Sequence, residues 1–175
     1  YVRFGLFAGV LLAVTARAAT PTISNVMPRG GQRGSSQEVT ISGARLGDTK
    51  EIFFHGEGIR TEKLEPVNAS NVKATLTIAP DAKLGQHEMR LRTATGLSTM
   101  RTFWVGPFPN VKEEEPNSEF DAAQKVPMNS TVNGVVTNED VDYYEIEAKK
   151  GRAVSLESVI KYTIEAEGGQ QPRLI

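Results

Sequence analysis

Between Pro21 and Val105 the apolar residues fall on every second position in short runs, and that regularity leaves few architectures open. Val39 and Ile41 alternate with Thr40 and Ser42; Val72, Ala74, Leu76 and Ile78 alternate with Lys73, Thr75 and Thr77; Met89 and Leu91 alternate with Glu88, Arg90 and Arg92. A side-chain period of two gives each run one apolar and one polar face. Such strands hide their apolar faces by stacking two sheets on one core. The runs are separated by Pro28-Arg29-Gly30-Gly31, Gly43, Gly47-Asp48, Gly56-Glu57-Gly58, Pro80-Asp81 and Thr95-Gly96. Glycine admits positive φ and proline presets a turn, so these positions read as connections and leave about seven strands. Thr95-Gly96 reads as a hairpin turn that sets the Met89 run antiparallel to the run from Thr102 to Val105.

Gly106-Pro107-Phe108-Pro109-Asn110 cannot continue a ladder, because two prolines withhold donors, and the domain boundary is placed there. The expected organisation is a domain over residues 20–106, a linker over 107–112 and a second, truncated domain over 113–175. Alternation resumes in Thr131 to Val136, in Tyr144, Ile146 and Ala148, and in Val154 and Leu156, with Lys149-Lys150-Gly151 as a turn, so this part also reads as β. The two parts differ in charge. Residues 20–106 hold eleven Lys and Arg against eight Asp and Glu, whereas residues 107–175 hold seven against thirteen. Neither has the clustered basic face that nucleic acid requires.

At the N-terminus, Arg3 precedes an apolar and small-residue run from Phe4 to Val14, and Ala16-Arg17-Ala18 has the small-x-small form of a cleavage site. The run is shorter than the roughly 20 residues that cross a bilayer, so residues 1–18 read as a signal peptide and no membrane span is expected after its cleavage. Residue 1 is Tyr, and the last residues close no recognisable element, so the chain reads as a piece of a longer frame. Cysteine is absent, which removes disulfides, thiolate metal sites and a cysteine nucleophile together. An exported chain without disulfides draws its stability from core burial and bound ions, and the expected location is secreted or in a bacterial cell envelope. Asn68-Ala69-Ser70 and Asn129-Ser130-Thr131 fit the N-glycosylation tripeptide, which matters only in a host that glycosylates.

Residues 21–105 resemble the immunoglobulin-like IPT/TIG domains. The resemblance is carried by Pro21-Thr22-Ile23-Ser24-Asn25-Val26-Met27-Pro28, Gly34 before Val39-Thr40-Ile41-Ser42-Gly43, Ile52-Phe53-Phe54-His55-Gly56, and Gly96-Leu97-Ser98. Residues from Glu113 to about 160 resemble the bacterial pre-peptidase C-terminal family, small jelly-roll-like β-sandwiches on exported proteins. Here the carrying residues are Glu113-x-Glu115-Pro116-Asn117, Ala122-Ala123, Val132-Asn133-Gly134, Asp142-Tyr143-Tyr144 and Gly151. Together they imply an all-β chain, an immunoglobulin-like sandwich followed by a second, incomplete one. The second resemblance also implies calcium as a cofactor, held by Glu113, Glu115, Asn117, Glu139 and Asp142. Ser118 stands where the family often has Asp, and Glu139 is longer than the Asp expected there. Read without the family, the same acidic residues form a solvated linker and a turn, with Asn117 capping the turn.

No catalytic residue is expected. His55 and His87 belong to no His-Glu-x-x-His pattern, and Ser98 in Gly96-Leu97-Ser98-Thr99-Met100 lacks the second glycine of a nucleophile elbow. Gly56-Glu57-Gly58 has no following helix or Gly-Lys-Ser/Thr ending to cradle a phosphate and reads as a turn. Trp104 has the opposite parity to Phe103 and Val105, so it faces away from the core, toward solvent or toward the linker and second domain. The expected function is a non-catalytic exported binding or presentation module whose partner is an extracellular protein or polysaccharide. The alternative is the accessory region of a secreted peptidase or other hydrolase.

Overall fold

The computed structural model describes residues 20–135 and 141–157. The expected signal peptide, Glu139 and the residues after 157 lie outside the described residues.

The chain is all-β. Its first part forms β1 (Thr22–Met27), β2 (Gly30–Gln32), β3 (Ser36–Ala44), β4 (Glu51–His55), β5 (Ile59–Pro66), β6 (Asn71–Ile78), β7 (Gly85–Thr93), β8 (Gly96–Leu97) and β9 (Arg101–Gly106). One sheet has the order β1-β3-β6-β5, and the other has the order β2-β9-β7-β4 with β8 paired to β7. The inner faces meet in one core. Ile41, Val72, Leu76, Met89, Leu91 and Phe103 are fully buried, all on the parities that the alternation assigned to the inside. Burying side chains of this size stabilises by about 1.5–3 kcal/mol each, and this is what holds the two sheets together. The expected antiparallel pairing of the Met89 run with the last strand is present, with His87 opposite Phe103 and Met89 opposite Arg101.

Three local features depart from simple alternation. In β1, the register against β3 shifts between Ile23 and Asn25, so the extra residue Ser24 lets both Ile23 and Val26 face inward. In β5, a shift between Thr61 and Lys63 leaves Glu62 as the extra residue, on a strand at the sheet edge that exposes Arg60, Lys63 and Glu65. Third, Gly30-Gly31, expected within a turn, belongs to a strand parallel to β9, Gly30 opposite Trp104 and Gly31 opposite Val105. A Cβ on Gly30 would collide with the Trp104 carbonyl, and one on Gly31 with the Ile78 side chain. The glycines are there because two strands approach closely, not because the chain turns.

Gly56-Glu57-Gly58 carries the chain from one sheet to the other, with φ of 124° and 97° at the glycines. Trp104 lies half-buried on the outer side of β9 while Phe103 and Val105 are fully buried, and its amide donates to the Arg29 carbonyl at 2.9 Å.

After Gly106 the structure thins. Residues 110–112, expected as linker, form β10 (Asn110–Lys112), which pairs in parallel with β12 (Thr131–Asn133); β11 (Gln124–Lys125) pairs in parallel with β13 (Tyr144–Glu145). A single 3-10 turn spans Phe120–Ala122. Lys149-Lys150-Gly151 turns as expected, with Gly151 at φ 83° and the Arg152 amide on the Lys149 carbonyl. The strand expected through Val154 and Leu156 is not formed among the described residues, and Leu156 is 89% exposed. Alternation stabilises a strand only when a second layer covers its apolar face, and no described element covers this one. Among the described residues no helix is long and apolar enough to cross a membrane.

Candidate metal centre

Short backbone pairings in the second part bring distant carboxylates together. Glu113 follows β10 directly, and its amide bonds to the Asn133 carbonyl at 3.3 Å. Gln124 braces the same stretch, accepting from the Glu114 amide at 3.0 Å and donating to the Lys112 carbonyl at 2.9 Å. The Asp142 segment is drawn in by its neighbour: the Tyr143 amide donates to the Asn117 carbonyl, and the Tyr143 carbonyl accepts from the Gln124 amide, each at 2.9 Å.

As a result one carboxylate oxygen from each of Glu113, Glu115 and Asp142 lies within 4.8 Å of the other two. Two oxygens on opposite sides of an ion that holds each at about 2.4 Å are about 4.8 Å apart, so this spacing suits one hard cation. Glu113 is held on both oxygens, Oε2 accepting from the Val135 amide at 2.7 Å and Oε1 from the Tyr144 hydroxyl. Glu115 folds back onto its own turn, its Oε2 accepting from the Asn117 amide at 3.0 Å. A Cβ on Gly134 would overlap the Glu113 carboxylate, so the bare glycine leaves the space that Glu113 fills.

Asn117 is the unusual member. It is fully buried, yet neither its Oδ1 nor its Nδ2 has a hydrogen-bond partner. A buried amide left unsatisfied costs about 1–3 kcal/mol, so its polar atoms call for a partner such as a water or an ion. Its side chain lies close enough to the Tyr144 hydroxyl to ease that group's ionisation. The opposing influences prevail. Loss of solvent around the hydroxyl, then the hydrogen bond and negative charge of Glu113, then the charge of Asp142, push the Tyr144 pKa well above its ordinary value of 10.0. The residue as a whole remains 39% exposed, so the solvent is lost at the hydroxyl end, against Glu113.

Of the expected ligands, the structure brings carboxylate oxygens of Glu113, Glu115 and Asp142 together, Asn117 adjoins them with its backbone amide donating to Glu115 Oε2 and its backbone carbonyl accepting from the Tyr143 amide, and Glu139 lies outside the described residues. Sequence reasoning missed Tyr144, although a residue two positions after Asp142 on an extended chain shares its side and could have been found that way. The donor set is three carboxylates, an amide and neighbouring backbone, all hard oxygen ligands of the kind calcium takes. The residues present therefore fit the ion that the family resemblance implies.

Elsewhere the chemistry-bearing side chains have structural work. Ser98 is buried, its Oγ accepting from the Leu91 amide at 2.8 Å and donating to the Thr99 carbonyl at 2.9 Å. His87 is buried with Nε2 on the Lys83 carbonyl at 2.7 Å, and His55 ends β4 with its ring edge-on to Phe53.

No protein-family model matches the chain, and no curated protein matches it. Among solved structures it is similar to SGBP-B, from the mixed-linkage glucan utilization locus of Bacteroides ovatus, in complex with a mixed-linkage heptasaccharide. The identity is 16% and the TM-score 0.34, over 57% of this chain and 23% of that one. The chain thus spans about a quarter of that protein's length. A likeness at this level carries no argument about ligand, and the reading below rests on the residues.

Proposed function

We propose that the chain is part of a non-catalytic exported binding module in which an immunoglobulin-like sandwich is joined to a calcium-stabilised β segment of the pre-peptidase C-terminal type. Its partner is an extracellular protein or polysaccharide. The observation that carries the calcium reading is the buried, unpartnered Asn117 amide beside three carboxylates whose oxygens lie within 4.8 Å of one another. Three like charges this close repel, and an orphaned buried amide costs free energy, so the cluster without a cation is a liability. A bound calcium ion relieves the repulsion and gives Asn117 Oδ1 a partner. Its liganding carbonyl would be Asn117 Oδ1, with carboxylate oxygens from Glu113, Glu115 and Asp142. Magnesium requires tight octahedral geometry and gives up water reluctantly, so it substitutes poorly.

The test is isothermal titration of the chain with calcium and with magnesium, followed by thermal melts with calcium and with chelator. Asn117→Ala separates the two readings of the cluster. Under the calcium reading it costs less stability in chelator than in calcium, because in chelator the cavity it leaves is offset by removal of an unsatisfied amide, and it loses the calcium-dependent gain. If the acidic residues are only a solvated turn, calcium raises the melting temperature of neither protein, and that result refutes the proposal.

A further inference from the structure

Two asparagine side chains join the segment that carries the carboxylates to the edge of the first sandwich. Asn110 Nδ2 donates to the Gly30 carbonyl at 2.7 Å and to Gln37 Oε1 at 2.9 Å, while its Oδ1 accepts from Asn133 Nδ2 at 3.0 Å. Asn133 Oδ1 in turn accepts from the Arg29 amide at 3.2 Å. The bridge thus spans from β10 and β12 to β2 and β3. All four groups of the two amides are engaged within a few residues of the cluster.

Both ends of this bridge are tied to groups that matter. Asn133 ends β12, its carbonyl accepts from the Glu113 amide, and two residues on the Val135 amide holds Glu113 Oε2. At the other end, the Arg29 carbonyl accepts from the amide of Trp104, which lies opposite Gly30 in the β2–β9 pairing. Two short parallel strands have little stability of their own, so the β10–β12 pair depends on what is held at its ends. The Lys112–Asn133 end runs into the carboxylate segment at Glu113, and the amide bridge runs back along the pair from Asn133 to Asn110 at its other end.

We propose that cation occupancy of the cluster is coupled to the junction with the first sandwich through the Asn110–Asn133 amide bridge, so that the ion stiffens the joint between the two parts of the chain. This rests on the calcium reading above. The coupling works as follows. Without a cation, repulsion among Glu113, Glu115 and Asp142 pulls Glu113 away from Val135 and loosens the β10–β12 pairing, in which Asn110 lies opposite Thr131 and Asn133 opposite Lys112, so that the two amides no longer meet along it. With a cation that register is kept, and the bridge is held against Arg29 and Gly30. Because coupling free energies are reciprocal, breaking the bridge weakens cation binding by the same factor by which the cation strengthens the bridge.

The chain contains a reporter in the right place, since Trp104 is its only tryptophan and lies at the receiving end. The experiment uses the whole chain and two readouts. Ion binding is followed by calorimetry with calcium and by terbium luminescence, and the junction by Trp104 emission and by the rate of proteolysis within residues 107–112. In the unsubstituted chain, calcium is expected to shift Trp104 emission and slow cleavage. In Asn110→Ala, and more mildly in Gln37→Ala, the ion still binds, with Kd raised about fivefold or more for Asn110→Ala, and the Trp104 response is lost or reduced. Gln37→Ala removes one arm of the bridge from a half-buried position on β3 and guards against a folding defect in Asn110→Ala. Calcium binding with a silent Trp104 and unchanged proteolysis in the unsubstituted chain overturns the coupling and leaves the calcium reading intact. An equal Trp104 response in Asn110→Ala and the unsubstituted chain overturns the amide bridge as the route. Absence of any calcium binding refutes the calcium reading itself.

Discussion

The two parts of this chain are built from the same secondary structure on different physical principles. In residues 21–106, strands of five to nine residues such as β3, β4, β6 and β7 cover one another and bury Ile41, Leu76, Leu91 and Phe103 completely. Beyond Gly106 the described strands have two or three residues each, Val126 is the one buried apolar side chain there, and the fully buried residue is the polar Asn117. Where the first part has a greasy centre, the second has a buried amide near a group of three carboxylates. Burial of apolar surface needs no specific ion. A polar centre makes stability conditional on what fills it.

That contrast can be broken most forcefully in the first part. Leu76→Ala or Ile41→Ala is expected to cost about 2–5 kcal/mol in denaturant unfolding, by the same amount in calcium and in chelator. A loss that calcium rescues would mean the two parts share one cooperative unit. Next in size is the ion itself. Calcium at about a hundred times its Kd should stabilise the second part by about 2.7 kcal/mol, and Asp142→Ala should abolish that increment while leaving the first unfolding transition where it was, as read by calorimetry. Gly134→Ala should be subtler. The new methyl displaces the flexible end of Glu113 and leaves the backbone in place. Calcium affinity should fall about tenfold, with little change in stability in chelator.

The smallest effect concerns pH. Folding raises the Tyr144 pKa above its ordinary 10.0, so the folded state keeps a proton that the unfolded state gives up. The stabilisation is complete below about pH 10 and declines as pH rises from there toward the folded value. Tyr144→Phe should remove this alkaline decline and leave stability near pH 7 changed by less than the other substitutions. Tyrosinate absorbance should show one of the four tyrosines ionising later than the rest.

The first sandwich was legible because a side-chain period of two is a local signal with one long-range solution. Val72, Ala74, Leu76 and Ile78 are all buried on the face the pattern assigned. What escaped was structure without an apolar pattern. Gly30-Gly31 reads as a turn in sequence and becomes a strand because β9 lies beside it, a fact held in Trp104 and Ile78, dozens of residues away. β5 was equally hidden, since Arg60, Glu62, Lys63 and Glu65 give an edge strand a polar sequence. In the candidate site, family resemblance pointed to Glu113, Glu115, Asn117 and Asp142. Tyr144 and Gly134 carried that resemblance without being assigned to the site, because the Tyr144 hydroxyl bond, the Val135 amide bond and the room left by Gly134 depend on backbone pairing and not on residue type. Alternation misled at Val154 and Leu156, where the pattern is present and no described element covers it.

The extra residue in β5 has a consequence for the chain among its own copies. The outer rim of that sheet would otherwise offer a straight row of amides and carbonyls to any extended peptide. With Glu62 pushed out of register and Arg60, Lys63 and Glu65 projecting beside it, an incoming strand meets a bend and desolvated charge before it can form a ladder. Copies of the chain crowded together would thus resist fusing into shared sheets along this rim, and would stay separate bodies.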